Sequence, residues 1–193
     1  MTSKNWPYYS SEEIEKVVKV LKSGKVNYWT GNYCKKFEKL YAKKFNLNYC
    51  ITVANGTVAL EIAYRTLGIG GDVITTPFSW VATVSAIKWE GCTPVFCDID
   101  SDTLNIDTSK IEALITDNTV AIMPVHVFGN PCEVEEIEQI AKKHNLKVIY
   151  DAAHAIGTSY KGESVLEWGD VSAVSLHGTK IYNTAEGGAC IVP

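Results

Sequence analysis

Lys180 sits in the stretch SLHGTKIYNTAEGG, close along the chain to Ser175, His177, Thr179 and Glu186. An amine among hydroxyls and an imidazole can condense with a carbonyl or carry protons. A lysine in a polar loop also serves as a plain solvated charge, so its neighbours must decide. In VIYDAAHAIG a carboxylate, Asp151, ends an apolar run, and His154 follows three residues later. Burying that carboxylate is costly unless something cationic meets it, although it also fits as the cap of a following turn. In Ala54-Asn55-Gly56-Thr57 a glycine allows close backbone approach and a helix begins with free N–H groups, which suits a phosphate. The same residues fit an ordinary capped strand-to-helix turn. Pro77-Phe78-Ser79-Trp80 brings a large aromatic that can either stack on a planar ring or join the core. His126, in PVHVFGNP, reads as a packed, hydrogen-bonded histidine at a strand end.

These residues need a frame, and the apolar pattern supplies one. SSEEIEKVVKVLKSG predicts a helix capped by Ser10 or Ser11, with Ile14, Val17, Val18 and Leu21 on one face and Gly24 as its stop. A second helix is expected around Tyr33 to Phe45. Short apolar runs then alternate with helical patterns: CITVA, DVITT, PVFCDI, VAIMPV, LKVIYD, VSAVSL and GGACIVP are the strands. Runs rich in Val and Ile without strict alternation are buried on both faces, as in a parallel sheet covered by helices. The fold class is therefore α/β, a mostly parallel open sheet flanked by helices. In such sheets ligands bind beyond the carboxyl ends of the strands, where all four chemical stretches fall. The last apolar run ends at Val192, and an exposed apolar edge is expected there.

The chain has 193 residues, 46% of them hydrophobic, enough for a full core in one domain. A formal charge of -4, with cations scattered among acids, argues against nucleic-acid binding. The opening MTSKNWPYYSSEE has no apolar run behind a basic end, and no stretch reaches the roughly 18 apolar residues of a membrane span. A cytoplasmic protein is expected. The six cysteines are dispersed without zinc-like spacing, so buried free thiols, with no metal, are expected.

Taken together, the strand ends offer an amine, a carboxylate, a phosphate cradle and an aromatic surface. Pyridoxal 5'-phosphate (PLP) chemistry needs these four parts. At these residues the chain resembles the DegT/DnrJ/EryC1/StrS family of fold-type-I PLP enzymes, most of which transfer an amino group to nucleotide-linked keto-sugars. The matching segments, among them YWTGNYCKKFEKLYAKKF, ANGTVALEIAYRTLGIG, PVHVFGNP, VIYDAAHAIG and SLHGTKIYNTAEGGA, span nearly the whole chain. The resemblance implies that Lys180 holds the cofactor as a Schiff base, Asp151 pairs with the ring nitrogen and Trp80 stacks on the ring. It further implies phosphate contacts from Gly56, Thr57 and Ser175, and a contact from His154 to the cofactor's phenolic oxygen. His177 and Glu186 match the pattern without an assigned role.

The resemblance implies glutamate as amino donor, a nucleotide-linked keto-deoxysugar as acceptor, a place in glycan or lipopolysaccharide synthesis, and a homodimer. A dense aromatic set near the amino terminus (Trp6, Tyr8, Tyr9, Tyr28, Trp29, Tyr33) fits an interface, or packing on its own domain. Two departures stand out. LGIGGDVITTP is shorter than the family's usual turn, and family members run to about twice this length. Residues 1-193 are thus expected to be the large PLP-binding domain, incomplete at its carboxyl end and without the small domain, turning over poorly alone. Other readings are a PLP-dependent sugar dehydratase, against which Lys180 argues, and a non-catalytic remnant that binds a partner.

Overall fold

The structure, a computed structural model, describes residues 6–193. The first five residues of the opening segment lie outside the described residues. Helix α1 (Ser11–Ser23) begins at Ser10, whose Oγ accepts from Glu13 N at 3.3 Å while Glu13 Oε2 accepts from Ser10 N at 2.7 Å. This capping box satisfies two amino-terminal donors at once, and Gly24 at φ 68° ends the helix. Its apolar face, Ile14, Val17, Val18 and Leu21, remains exposed. Helix α2 (Tyr33–Lys44) follows and buries Tyr41.

From there strands and helices alternate: β1 (Tyr49–Val53), α3 (Gly56–Leu67), β2 (Asp72–Thr75), α4 (Val81–Trp89) and β3 (Thr93–Phe96). Next come α5 (Thr108–Ile111), β4 (Thr119–Met123), α6 (Val134–His144) and β5 (Lys147–Asp151). A short hairpin, β6 (Ser159–Tyr160) with β7 (Glu163–Ser164), precedes β8 (Val171–Ser175) and β9 (Gly188–Val192). Seven strands form one sheet in the order β1-β9-β8-β5-β4-β2-β3. The expected two-sided burial is seen residue by residue. Along β5, Val148 and Tyr150 join one core cluster with Val134, Ile137 and Ala141 of α6. Ile149, between them, joins Ala59, Leu60 and Ala63 of α3 on the other face.

Three features differ from expectation. β9 runs antiparallel to both β1 and β8 and lies between them, so the sheet is mixed at this end. A fully apolar run reads alike in either direction, which is why the sequence pattern does not reveal this. The expected open edge after Val192 is corrected for the same reason: Gly188–Ile191 are buried, and the edge strands are β1 and β3. Of the six cysteines, Cys34 is exposed, not buried, while the other five are buried; all are free thiols. The shortened turn between α3 and β2 leads into the start of β2, the end of the sheet away from the candidate site.

Most members of the amino-terminal aromatic set are exposed: Trp29 at 86%, Tyr33 at 61% and Trp6 at 59%. Among the described residues no helix is long and apolar enough to cross a membrane.

Candidate active site

The carboxyl ends of β1, β2, β4, β5 and β8 open into one cleft of about 690 Å³. All seven expected residues, Gly56, Thr57, Trp80, Asp151, His154, Ser175 and Lys180, line it, and so do His126, His177 and Glu186.

One wall is the start of α3. Asn55 caps it, its Oδ1 accepting from Val58 N at 2.9 Å. The N–H groups of Gly56 and Thr57 belong to the first turn, which has no intrahelical acceptors for them. This helix start lies directly against the sheet. A Cβ on Gly56 would stand 3.0 Å from Cβ of Ser175, and one on Gly188 would stand 2.3 Å from the Asn55 carbonyl carbon. Gly188 pairs with both Val53 and Ser175, so a side chain there would push the helix start off the strand ends. The EGGA motif thus has a steric purpose: it lets first-turn N–H groups and Ser175 share one wall.

The floor is Asp151, buried at the end of β5. Its main chain is tied on both sides, N–H to Pro124 O at 2.9 Å and O from His126 N at 3.1 Å. Its carboxylate accepts from Thr83 Oγ at 2.7 Å and from Ala153 N at 3.2 Å. Ser79 Oγ lies 2.6 Å from Thr83 Oγ. A hydroxyl has one proton to give, so with Thr83 donating to Asp151, Ser79 must donate to Thr83. Burial pushes the Asp151 carboxyl upward, against the lowering pull of Thr83, Ala153 N–H, His154 and Lys180. Thr83 and Ser79 are site residues to which the sequence reading gave no role. Their signal is a pair of hydroxyl residues four apart across the start of α4, Ser79 just ahead of the Trp80 cap and Thr83 in the first turn.

Lys180 enters from the loop between β8 and β9. Its Nζ meets Nε2 of His154 at 2.7 Å. Burial pushes the Lys180 amine below its usual range, with Asp151 pulling it up. Burial, then the Lys180 charge, holds His154 below its usual value, against the raising pull of Asp151. Lys180 is therefore the donor and His154 the acceptor. The exposed ring of Phe128, at φ 53°, stacks on His154 with centroids 6.3 Å apart and planes 8° apart. Trp80 stands at the rim, 78% exposed, offering an uncovered ring face.

His177 and Glu186 acquire a structural role. His177 Nδ1 accepts from Thr179 N at 3.3 Å and lies 2.9 Å from Thr179 Oγ, leaving Nε2 to face Glu186 Oε1 at 3.4 Å. The pair clasps the two ends of the Lys180 loop. His126 is packed, as expected: its ring stacks on Tyr150 at 4.6 Å and 10°, and its Nδ1 accepts from Cys132 N at 3.1 Å. Burial depresses it to about 3, so it is neutral and takes no part in proton transfer near neutral pH.

Comparison with known proteins agrees with this fold. The chain is 48% identical over 156 residues to the dTDP-4-amino-4,6-dideoxy-D-glucose transaminase of Shigella dysenteriae, covering 81% of this chain and 42% of that enzyme. The solved aminotransferase from Psychrobacter cryohalolentis superposes with a TM-score of 0.95 at 42% identity, over 98% of this chain and 49% of that one. A Streptococcus pneumoniae protein solved in a PLP form matches with a TM-score of 0.91 at 30% identity, over 97% of this chain and 52% of its own; it is also known in a PMP form. The chain spans about half the length of the relatives it matches. Residues 7–193 match the DegT/DnrJ/EryC1/StrS aminotransferase family, and the chain belongs to it.

Proposed function

We propose that this chain carries the cofactor half of a PLP-dependent aminotransferase, which moves an amino group from glutamate to a keto group on a nucleotide-linked deoxysugar. The observation that carries this reading is the meeting of Lys180 Nζ with His154 Nε2 at 2.7 Å in the cleft floored by buried Asp151. The residues fit PLP. Asp151 is a buried carboxylate whose two hydrogen bonds come from neutral donors, and a ring N–H⁺ supplies the cation it lacks. The wall of Gly56, Thr57 and Ser175 suits a phosphate, since close packing keeps side chains out of the way of first-turn N–H groups. The exposed face of Trp80 suits the flat ring.

When bound, PLP supplies an aldehyde that condenses with amines and a ring that takes up the electron pair left when a Cα proton departs. Asp151 holds the proton on the ring nitrogen, and Thr83 orients the carboxylate for that task. His154 aims Lys180 Nζ into the cleft by accepting its hydrogen bond. Lys180, its amine eased toward the neutral form by burial, takes a proton at Nζ and gives it back. Gly56, Thr57 and Ser175 hold the phosphate end in place during these transfers.

The described chain is read as the large PLP-binding domain. The match to only about half of its relatives supports placing much of the sugar-nucleotide site in further chain. The exposed aromatic residues Tyr28, Trp29 and Tyr33 support a homodimer, and the relatives' substrates support a role in glycan or lipopolysaccharide synthesis. Addition of PLP should give a visible absorbance band that glutamate bleaches, and borohydride should fix the cofactor to the Lys180 peptide. A band that persists with every amino donor refutes transamination. Light scattering that shows only monomer at micromolar concentration refutes the dimer for this chain.

A further inference from the structure

The loop that carries Lys180 has neither helix nor strand between Ser175 and Gly188. Its internal ties are local, among them Lys180 N to His177 O at 2.9 Å, Thr184 N to Leu176 O at 2.9 Å, Leu176 N to Gly187 O at 2.9 Å, and the His177–Glu186 clasp. Two further hydrogen bonds come from the opposite end of the chain. Trp6 Nε1 donates to Thr179 O at 3.3 Å, across a separation of 173 residues. Tyr9 O–H donates to Asn183 Oδ1 at 2.6 Å, across 174 residues.

Asn183 passes the second contact on. Its Oδ1 also accepts from Ala185 N at 3.3 Å, which fixes the direction of the amide, so its Nδ2 donates to Lys180 O at 3.3 Å. Both peptide units that flank the Lys180 Cα are thereby held from the amino-terminal segment, one directly and one through Asn183. The Tyr9 bond is the shorter and the better shielded, since Tyr9 is half-buried while Trp6 is exposed. Gly178 lies beneath the strap, where a Cβ would make only ordinary van der Waals contact with Pro7 Cγ at 3.7 Å and Tyr9 Oη at 3.9 Å.

We propose that Tyr9, acting through Asn183 and assisted by Trp6, is a positioning residue for Lys180. The amino-terminal segment is a strap that sets where Nζ stands relative to His154. The idea rests on the reading of Lys180 as the cofactor's attachment point. It matters because a reacting group misplaced by about 1 Å can cost on the order of a hundredfold in rate. The aromatic residues near the amino terminus therefore divide: Tyr9 and Trp6 serve the site in their own chain, whatever the others do.

Tyr9→Phe, Asn183→Ala and the double variant test it, with two measurements on each. Hydrogen exchange of amides 178–186 in the cofactor-free protein should speed up by about threefold to tenfold in Tyr9→Phe, the range expected for one net hydrogen bond. The double variant should be no worse than Asn183→Ala alone, because both changes break the same link. The second measurement is the pH at which added PLP half-forms its visible band. A loosened loop lets Nζ reach water and regain its ordinary basicity, so the midpoint should move to higher pH, while exchange in α6 stays unchanged. Identical exchange in Tyr9→Phe and wild type, or additive effects of the two changes, overturns the proposal. So does faster exchange with an unmoved midpoint, which makes Tyr9 a merely structural tie. If the wild type forms no band, the attachment reading fails, and the exchange comparison still decides whether the strap exists.

Discussion

Nζ of Lys180 and Nε2 of His154 stand 2.7 Å apart, and one proton lies between them. Burial, then the lysine charge, holds the imidazole below its ordinary value, and its lone pair directs the amine into the cleft. Lys180→Arg keeps a cation beside His154 but cannot condense with a carbonyl. Covalent attachment of PLP should be lost completely, and amino transfer should fall by at least about 10²- to 10⁴-fold, the usual worth of a positioned proton carrier. Borohydride trapping with peptide mapping, alongside steady-state rates, checks both outcomes; turnover above a tenth of wild type would falsify the assignment.

Asp151 is costly to the empty fold and useful to the loaded one. Its pKa is raised by burial, so the folded state holds its proton to higher pH than the unfolded chain does, and stability declines as pH rises from the unfolded value toward the folded one. In cofactor-free protein, Asp151→Asn should therefore melt no lower than wild type at neutral pH, since the Thr83 hydroxyl can turn to accept from the new amide. Amino transfer should nevertheless drop by roughly 10²- to 10⁴-fold. A calorimetric scan paired with an activity assay separates the two effects.

Thr83→Val removes a donor that stabilises the charged carboxylate and leaves the side-chain shape nearly intact. The Asp151 pKa should rise further, so the acid limb of the pH–activity profile moves to higher pH. The loss in rate at neutral pH should be about tenfold, in keeping with one hydrogen bond to a charged group. An acid limb that stays in place would show that Thr83 does not govern Asp151.

Gly188→Ala drives a methyl group into the Asn55 backbone. Because backbone cannot step aside as a side-chain tip can, the expected cost is about 3 kcal/mol or more, the upper end for overpacking. Gly24→Ala offers the contrast: φ is 68° but nothing lies within 4 Å, so only backbone strain remains, about 1 kcal/mol. Urea denaturation of the two variants ranks them, and equal midpoints would contradict the steric account.

His126 titrates in the unfolded chain near its ordinary pKa but only at about 3 in the folded one. Between these values the unfolded state binds the extra proton, so stability falls as pH drops below about 6.5, by about 1.36 kcal/mol per pH unit. His126→Asn keeps an acceptor for Cys132 N–H but does not titrate. Its stability should fall less steeply than that of wild type below pH 6.5, as followed by denaturation across that range.

Much of this was legible in the residues alone. The Ser10 cap, the Gly24 stop and every strand of the main sheet follow from local pattern, because each rests on neighbours in sequence. The gathering of the seven expected residues along one cleft was legible as well, since parallel strands collect their carboxyl ends on one side. The rest depends on long-range placement. Nothing local tells β9 which way to run, and Thr83 acquires its task only when β5 brings Asp151 to it. The tie from Tyr9 to Asn183 joins opposite ends of the chain and leaves no periodic trace.

The position of β9 also dictates an order of events during synthesis. β1 emerges early, yet its ladder partner is β9, with Tyr49 facing Val192 and Val53 facing Gly188. Closing so long a loop is slow and entropically costly, so this part of the sheet can form only after residue 192 has left the ribosome. Until then β1 and the inner edge of β8 remain unpaired, and a nascent chain halted before Gly188 should expose both to chaperones or to protease. The segment that closes this end of the sheet is the same one whose glycine seats the start of α3, so the wall of Gly56 and Ser175 waits on β9.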